Sequence, residues 1–385
     1  MKHRERVIYA INHKEPDRVP IDLWGSDSRL INDFYFKVAD HLNLEPLKNK
    51  IRPGKTAEYV DYRISDYIDS DFRHIVIGRP KNFTSYKDEE GNIYDEWGIG
   101  YKLKGMYPFI SRHPLQNDDL SDIDNYEGPL IRDSGRIEGL KDQAENWSKN
   151  TDYCITTTGP ISGFIMEFYQ YLHGTENFFT DLYLNVKFAE KLIDKLTEII
   201  ADLYMFFIEP VAPYITWIEF ESDFGTQDRP FISRELFRKF LKKPMSIVFS
   251  QVKKIAPNAK IFLHSCGSIR ELIPDFIDIG VNILSGLQPL ASRMNSLELK
   301  KEFGKDLVFH GGVDIQKALC GSIDDTIEET KRKIFDYGSG GGYICGPSNH
   351  FQIDVPVENF LAMYKTAVNF GMYPLSPPII LKPSF

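Results

Sequence analysis

Cysteine is scarce and scattered: four residues, Cys154, Cys266, Cys320 and Cys345, in a chain of 385. That excludes a disulfide framework and leaves the thiols as core residues or metal ligands in a reducing compartment. Long apolar runs are missing too. No stretch approaches about 18 uncharged apolar residues, and the N-terminus Met1-Lys-His-Arg-Glu-Arg-Val has no signal-peptide core, so a cytoplasmic protein without a membrane span is expected. Basic clusters are absent, and Asp plus Glu outnumber Lys plus Arg by 55 to 46. The net charge of −9 and a pI near 5.6 argue against nucleic acid or an anionic membrane as partner. There is no Walker loop, no nucleophile elbow and no dinucleotide fingerprint after a strand. Gly338-Ser-Gly-Gly-Gly342 is glycine-rich but precedes a strand-like run, so it reads as a loop ending a helix. With no repeat or low-complexity tract, residues 1–385 are expected to form one domain.

The chain does contain short β-branched or aliphatic runs, most followed by amphipathic segments of helical length. Eight stand out: Arg18–Trp24, Phe72–Gly78, Tyr153–Thr158, Tyr214–Glu221, Lys260–His264, Val281–Ser285, Leu307–His310 and Gly342–Cys345. Near-continuous apolar strands alternating with helices predict a parallel sheet covered on both faces, and eight of them predict closure into an α/β (β/α)8 TIM barrel. The region from about Leu182 to Ile208 has helical spacing, and Ser233 reads as the N-cap of a helix that Pro244 should kink or break. After the second run comes a polar insertion, about 79–150, with a hairpin around Gly91-Asn92. In a barrel such an insertion belongs to the substrate mouth, because loops at the carboxyl ends of strands build the site.

Strand ends are therefore where chemistry is expected. His264 and Cys266 close the fifth run two residues apart, so imidazole and thiol leave the same face, as a soft-metal site requires. A packed strand end would look the same, and zinc needs further protein ligands. On the fourth run Ile215, Trp217, Glu219, Glu221 and Asp223 share a face by period two. These acids could ligate a metal, act as general acids or bases, or hold cationic groups, while Glu219 could instead pair with a lysine or arginine across the barrel. Gln227 follows on the same loop. The seventh run ends in His310-Gly-Gly-Val-Asp314 and the eighth in Cys345-Gly-Pro-Ser-Asn349-His350, which brings another acid, thiol and histidine to the rim. Zinc suits mixed nitrogen and sulfur donors, and three protein ligands leave a position for a substrate oxygen or thiol.

Several segments together resemble the uroporphyrinogen decarboxylase superfamily: Glu5 to Pro20, Asp223-Phe-Gly-Thr-Gln227, His264-Ser-Cys-Gly-Ser-Ile-Arg270, Gly311-Gly-Val-Asp314 and Asp354-Val-Pro-Val-Glu-Asn359. The resemblance spans nearly the whole chain and implies a (β/α)8 barrel. It also implies one of two chemistries. Metal-free decarboxylases carry an arginine-rich segment near the first strand, which Ile21 to Arg29 lacks. Zinc-dependent corrinoid methyltransferases carry a His-x-Cys pair, matched by His264 and Cys266, and a later cysteine seven residues before the proline matched by Pro356. Asn349 stands at that position, with Cys345 four residues earlier and His350 one later as candidates for the third ligand. The departure is similar to O-demethylating relatives, which pass a methyl group from methoxylated aromatics or other small donors to the cobalt of a corrinoid protein. The resemblance thus implies zinc on His264, Cys266 and Cys345 or His350, with Gln227 and Asn349 on the cofactor side. Glu221, Asp223 or Asp314 would orient the donor or protonate its leaving oxygen, and Trp24, Trp97 and Trp217 could wall the pocket. A decarboxylase and a non-catalytic binding protein are the competing expectations, and a homodimer is compatible with all three.

Overall fold

The computed structural model describes residues 1–378 except 26–27, 49–51, 53 and 105–106. Strand β1 (Phe72–Ile75) opens the main sheet. Four strands follow it, β2 (Tyr86–Lys87), β3 (Ile93–Tyr94), β4 (Gly100–Lys104) and β5 (Tyr107–Arg112), in a separate antiparallel sheet. Its first hairpin turns at Asp88–Gly91, where Gly91 has φ +88° and the Asp88 amide bonds the Asn92 carbonyl at 3.0 Å, as the Gly-Asn signal predicts. The chain then returns to the main sheet through β6 (Cys154–Thr157), β7 (Trp217–Glu221), β8 (Lys260–Ser265), β9 (Ile283–Gly286), β10 (Val308–Gly311) and β11 (Tyr343–Ile344). These seven strands form one curled parallel sheet whose order follows the chain.

The first of the eight apolar runs makes bridges rather than a strand. Pro20 offers no N–H, and Trp24 sits at φ +81°, outside extended geometry. The segment still bonds both margins of the sheet: Cys345 N to Pro20 O at 2.8 Å and Asp22 N to Cys345 O at 3.1 Å on one side, Asp71 N to Ile21 O at 3.0 Å on the other.

Alternation along the strands sorts two cores. Phe72, Cys154, Trp217, Phe262, Ile283, Val308 and Ile344 face inward, and Val7 and Ile11 of the helix His3–Ile11 join them. Their neighbours face outward to the helices, as where Phe220 meets Phe249 at 4.6 Å and Phe309 meets Tyr337 at 4.9 Å. The helix Val186–Ile208 buries Phe188, Leu192, Leu196, Ile200 and Tyr204, one per turn. Each such burial contributes about 1.5–3 kcal/mol. Ser233 caps its helix through the Leu236 amide. Pro244 does not break the pattern: a π-turn at Phe237–Leu241 precedes it, re-spacing the carbonyls where its ring and missing donor would disrupt an α-helix. Among the described residues no helix is long and apolar enough to cross a membrane.

One buried carboxylate anchors the amino-terminal segment. Asp71, with a fully buried side chain, accepts from Arg6 Nη1 at 2.5 Å, Arg18 Nη1 at 2.8 Å and the Ile21 amide at 2.9 Å. Asp71→Asn leaves two guanidinium groups underpaired and should lower unfolding free energy by about 3–5 kcal/mol. A loss below about 1 kcal/mol in urea titration would contradict the anchoring role.

Candidate metal centre at the carboxyl end of the sheet

On the inner face, the register sets Glu221 beside His264, His264 beside Ser285, and Ser285 beside His310. Cys266, two residues past His264, stays on that face, and its Sγ lies 3.3 Å from His264 Nε2. Asp223 reaches in from the loop after β7, its Oδ1 lying 3.5 Å from the same nitrogen and accepting the Cys266 amide at 2.9 Å. The three ligand atoms lie within 4.8 Å of one another. Tetrahedral zinc with bonds of about 2.0–2.3 Å separates its ligand atoms by about 3.3–3.6 Å, and the imidazole nitrogen stands at that spacing from both the thiol and the carboxylate.

Two glycines set this geometry. A Cβ on Gly267, at φ +80°, would fall 2.3 Å from the Gly225 backbone, and one on Gly225 would fall 2.6 Å from the Ser268 amide nitrogen. Only bare backbone lets the Asp223 loop lie against the Cys266 loop. Ser265 Oγ also accepts the Phe224 amide at 3.0 Å. Burial, with Asp223 adding to it, pushes the Cys266 thiol up to about 11. Burial works upward on Asp223 as well, but the His264 hydrogen bond and charge and the Cys266 amide hold it near 2. A metal arriving here therefore displaces the thiol proton.

Other candidate residues are distributed differently. Asn349 does reach the pair, its Nδ2 donating to Cys266 Sγ at 3.3 Å, while its Oδ1 accepts the His350 amide at 2.6 Å. Cys345 does not: as the residue after inward-facing Ile344 it points outward, fully buried beside Tyr343, its thiol pushed up to about 12 by burial. Among the described residues, the converging donor group contains neither Cys345 nor His350; its third member is Asp223. Asp314 is a turn cap whose carboxylate accepts the Gln316 amide at 2.9 Å and the Ala318 amide at 3.3 Å. Gln227 is exposed, its carbonyl taking the Ser292 amide at 2.7 Å. Trp217 packs on Phe72 and Phe262 in the inner apolar layer, and Trp97 packs on Phe168 at 4.2 Å. Trp24 is fully buried, with no hydrogen bond at Nε1.

Two features escaped the sequence reading. Glu167, third residue of the helix Ile165–His173, props the Asp223 loop by accepting the Asp223 amide at 2.8 Å and the Ser222 hydroxyl at 2.9 Å; burial and the Asp223 charge raise it to about 7. Elsewhere on the inner face, Asp22 accepts Nε2 of His74 and of His310, and Glu219 takes the Trp217 indole N–H at 3.0 Å with His74 Nδ1 at 3.7 Å. Glu219 thus meets histidine and tryptophan, not the lysine or arginine considered for it. A cavity of about 660 Å³, whose lining includes none of the three donors, is walled by Phe36, Arg52, Lys55, Tyr101 and Tyr107.

The family model for uroporphyrinogen decarboxylase (URO-D) matches residues 96–370, and the chain belongs to that family. A solved methyltransferase from Methanosarcina mazei is similar at 15% identity with a TM-score of 0.61, covering 96% of this chain and 99% of that one, and so shares the fold. An acarbose-complexed alpha-amylase from Geobacillus thermoleovorans is more distant, with a TM-score of 0.36, 11% identity and coverage of 78% and 69%. A 3-keto-D-glucoside 4-epimerase from E. coli is similarly remote, with a TM-score of 0.35, 12% identity and coverage of 67% and 96%. No curated protein matches the chain.

Two outcomes follow from the geometry. Gly267→Ala should cost at least about 2 kcal/mol, from left-handed φ and overpacking together; a thermal melt superposing on the wild type would refute the close approach. Burial, offset in part by His74, raises Glu219 to about 7, well above its unfolded range. The folded state then binds a proton that the unfolded chain has released, so this group's contribution falls as pH climbs from about 4.3 to about 7, by at most about 1.4 kcal/mol per unit. Relative to wild type, Glu219→Gln should therefore gain stability across that window and stay level outside it, as denaturation at stepped pH would record.

Proposed function

We propose that this chain is a methyltransferase of the URO-D family, moving a methyl group from a small donor, with methoxylated aromatics the leading class, to the cobalt of a corrinoid carried by a partner protein. The observation that carries this reading is the Asp223–His264–Cys266 donor set at the carboxyl end of the sheet. In this reading Pro20–Asp22 serves as an eighth stave, closing a (β/α)8 barrel of one domain, with about 79–150 inserted beside its mouth.

Zinc bound there would supply Lewis acidity toward the donor's ether oxygen. His264 Nε2, Cys266 Sγ and Asp223 Oδ1 would hold it, with the fourth position left to the donor. Asn349 tunes the thiolate by donating to Sγ, drawing charge off sulfur. One thiolate with one carboxylate makes a harder donor set than two thiolates, which favours an oxygen leaving group over a sulfur one. Glu167 fixes Asp223 by its amide, and Glu221, level with His264 on the inner face, orients the donor. In that transfer the C–O electron pair would stay on oxygen, which would be protonated from solvent, while the methyl carbon would accept the electron pair of the partner's cob(I)alamin.

The test is metal content and turnover together. His264→Ala and Cys266→Ala should each lose the zinc held at this site and slow methylcobalamin formation from methoxylated compounds by at least about 100-fold, beyond the effect typical of a supporting group. Absence of zinc from these residues in the wild type would overturn the mechanism. Conversion of uroporphyrinogen to coproporphyrinogen would reassign the chain as a decarboxylase.

A further inference from the structure

A second group of donors converges far from β8 in the sequence, where the turn after β5 meets two helices. His173 ends the helix Ile165–His173, Asp181 lies on the helix Thr175–Leu184, and Asp118 lies on the turn. His173 Nε2 stands 3.1 Å from Asp181 Oδ2 and 3.3 Å from Asp118 Oδ1. The imidazole is fully buried and Asp181 nearly so, whereas Asp118 is 66% exposed and opens the group to solvent.

The tautomer decides what this arrangement wants. His173 Nδ1 bonds the Leu115 carbonyl oxygen, so Nδ1 carries a ring proton and Nε2 is the ring nitrogen left to face the carboxylates. Although two carboxylate oxygens are close, Nε2 makes no hydrogen bond with either. Two carboxylate oxygens gathered on one buried ring nitrogen call for a positive charge between them, a metal ion or a proton. The spacing suits a metal ion: nitrogen and oxygen ligands at about 2.0–2.2 Å around tetrahedral zinc lie about 3.3–3.5 Å apart. The supporting contacts are those that orient metal ligands. The Leu115 carbonyl holds the ring, and Tyr169 Oη donates to Asp181 Oδ2 at 2.6 Å. Phe188, 4.4 Å from the ring, and Tyr169 keep the imidazole side dry.

We propose that Asp118, His173 and Asp181 form a second zinc site, structural in role, with water as its fourth ligand. It pins the chain leaving the antiparallel sheet onto the helix pair. Nothing in it depends on the donor set at β8 or on methyl transfer.

The experiment is metal stoichiometry by elemental analysis on the full chain, paired with the spectrum of the cobalt(II)-substituted protein. The His264→Ala, Cys266→Ala double variant should retain about one zinc per chain, and adding Asp118→Asn should reduce it to about none. Asp118 is exposed, so this change does not threaten folding; His173→Gln, checked by circular dichroism, should give the same loss. Cobalt in the double variant should show tetrahedral ligand-field bands without a thiolate charge-transfer band. A double variant already free of metal, or a zinc content unmoved by Asp118→Asn, overturns the site and leaves His173 as an imidazolium bridging two carboxylates. Wild type holding one metal, lost on Asp118→Asn and lacking the thiolate band, would keep this site while the centre at β8 falls.

Discussion

The Asp22 carboxylate is the constraint around which the inner face is organised. It is fully buried and accepts Nε2 of His74 on β1 at 2.8 Å and of His310 on β10 at 2.9 Å. Burial works to neutralise it, yet the two imidazoles hold its carboxyl well below the usual range. A lone buried carboxylate would cost several kcal/mol, so the cluster is tolerable only if all its members stay in place. Thr156 at 2.7 Å and Ser285 at 3.0 Å occupy the Nδ1 positions of the two rings. The segment that could not become a regular strand is thereby seated by side-chain chemistry instead, and Tyr364 from the helix Val357–Phe370 adds a bond to the Asp22 carbonyl at 2.9 Å.

Strand parity carries that order up to the donors. Two residues per repeat means that a side chain either joins the inner face or is lost to the helix layer, with no intermediate choice. Glu221, His264, Ser285 and His310 fall on one level by register, and Cys266 and Asp223 continue it into the loops. Cys345, one residue out of phase, is excluded however near it stands in sequence to the residues that do arrive.

Seven of the eight expected strands, the Gly91 hairpin, the Ser233 cap and the shared face of His264 and Cys266 were legible because each is a local pattern: apolar period, turn chemistry, or spacing of two on a strand. Asn349 was legible only as a departure from the family's ligand at that offset from Pro356; its amide contact with Cys266 was not. Local patterns failed where pairing is long-range. Glu167 meets Asp223 across more than fifty residues, and its N-cap is Phe164, which carries none of the polar signature of a capping box. The Asp118, His173 and Asp181 group has no motif spacing at all. Cys345 fails by parity: following inward-facing Ile344, it belongs to the helix layer. The π-turn before Pro244 shows the same limit, because a bulge that accommodates a proline leaves no compositional mark.

The backbone contact between Gly225 and Gly267 has a consequence for how this architecture can vary. The loops after β7 and β8 touch main chain to main chain, so a side chain gained on either is felt by both, and neither can lengthen or drift alone. Adaptation to new ligands must then come from elements outside that contact, such as the antiparallel strands β2–β5 and the aromatic cavity beside them. The arrangement separates a part of the molecule that is mechanically locked from a part that remains evolvable.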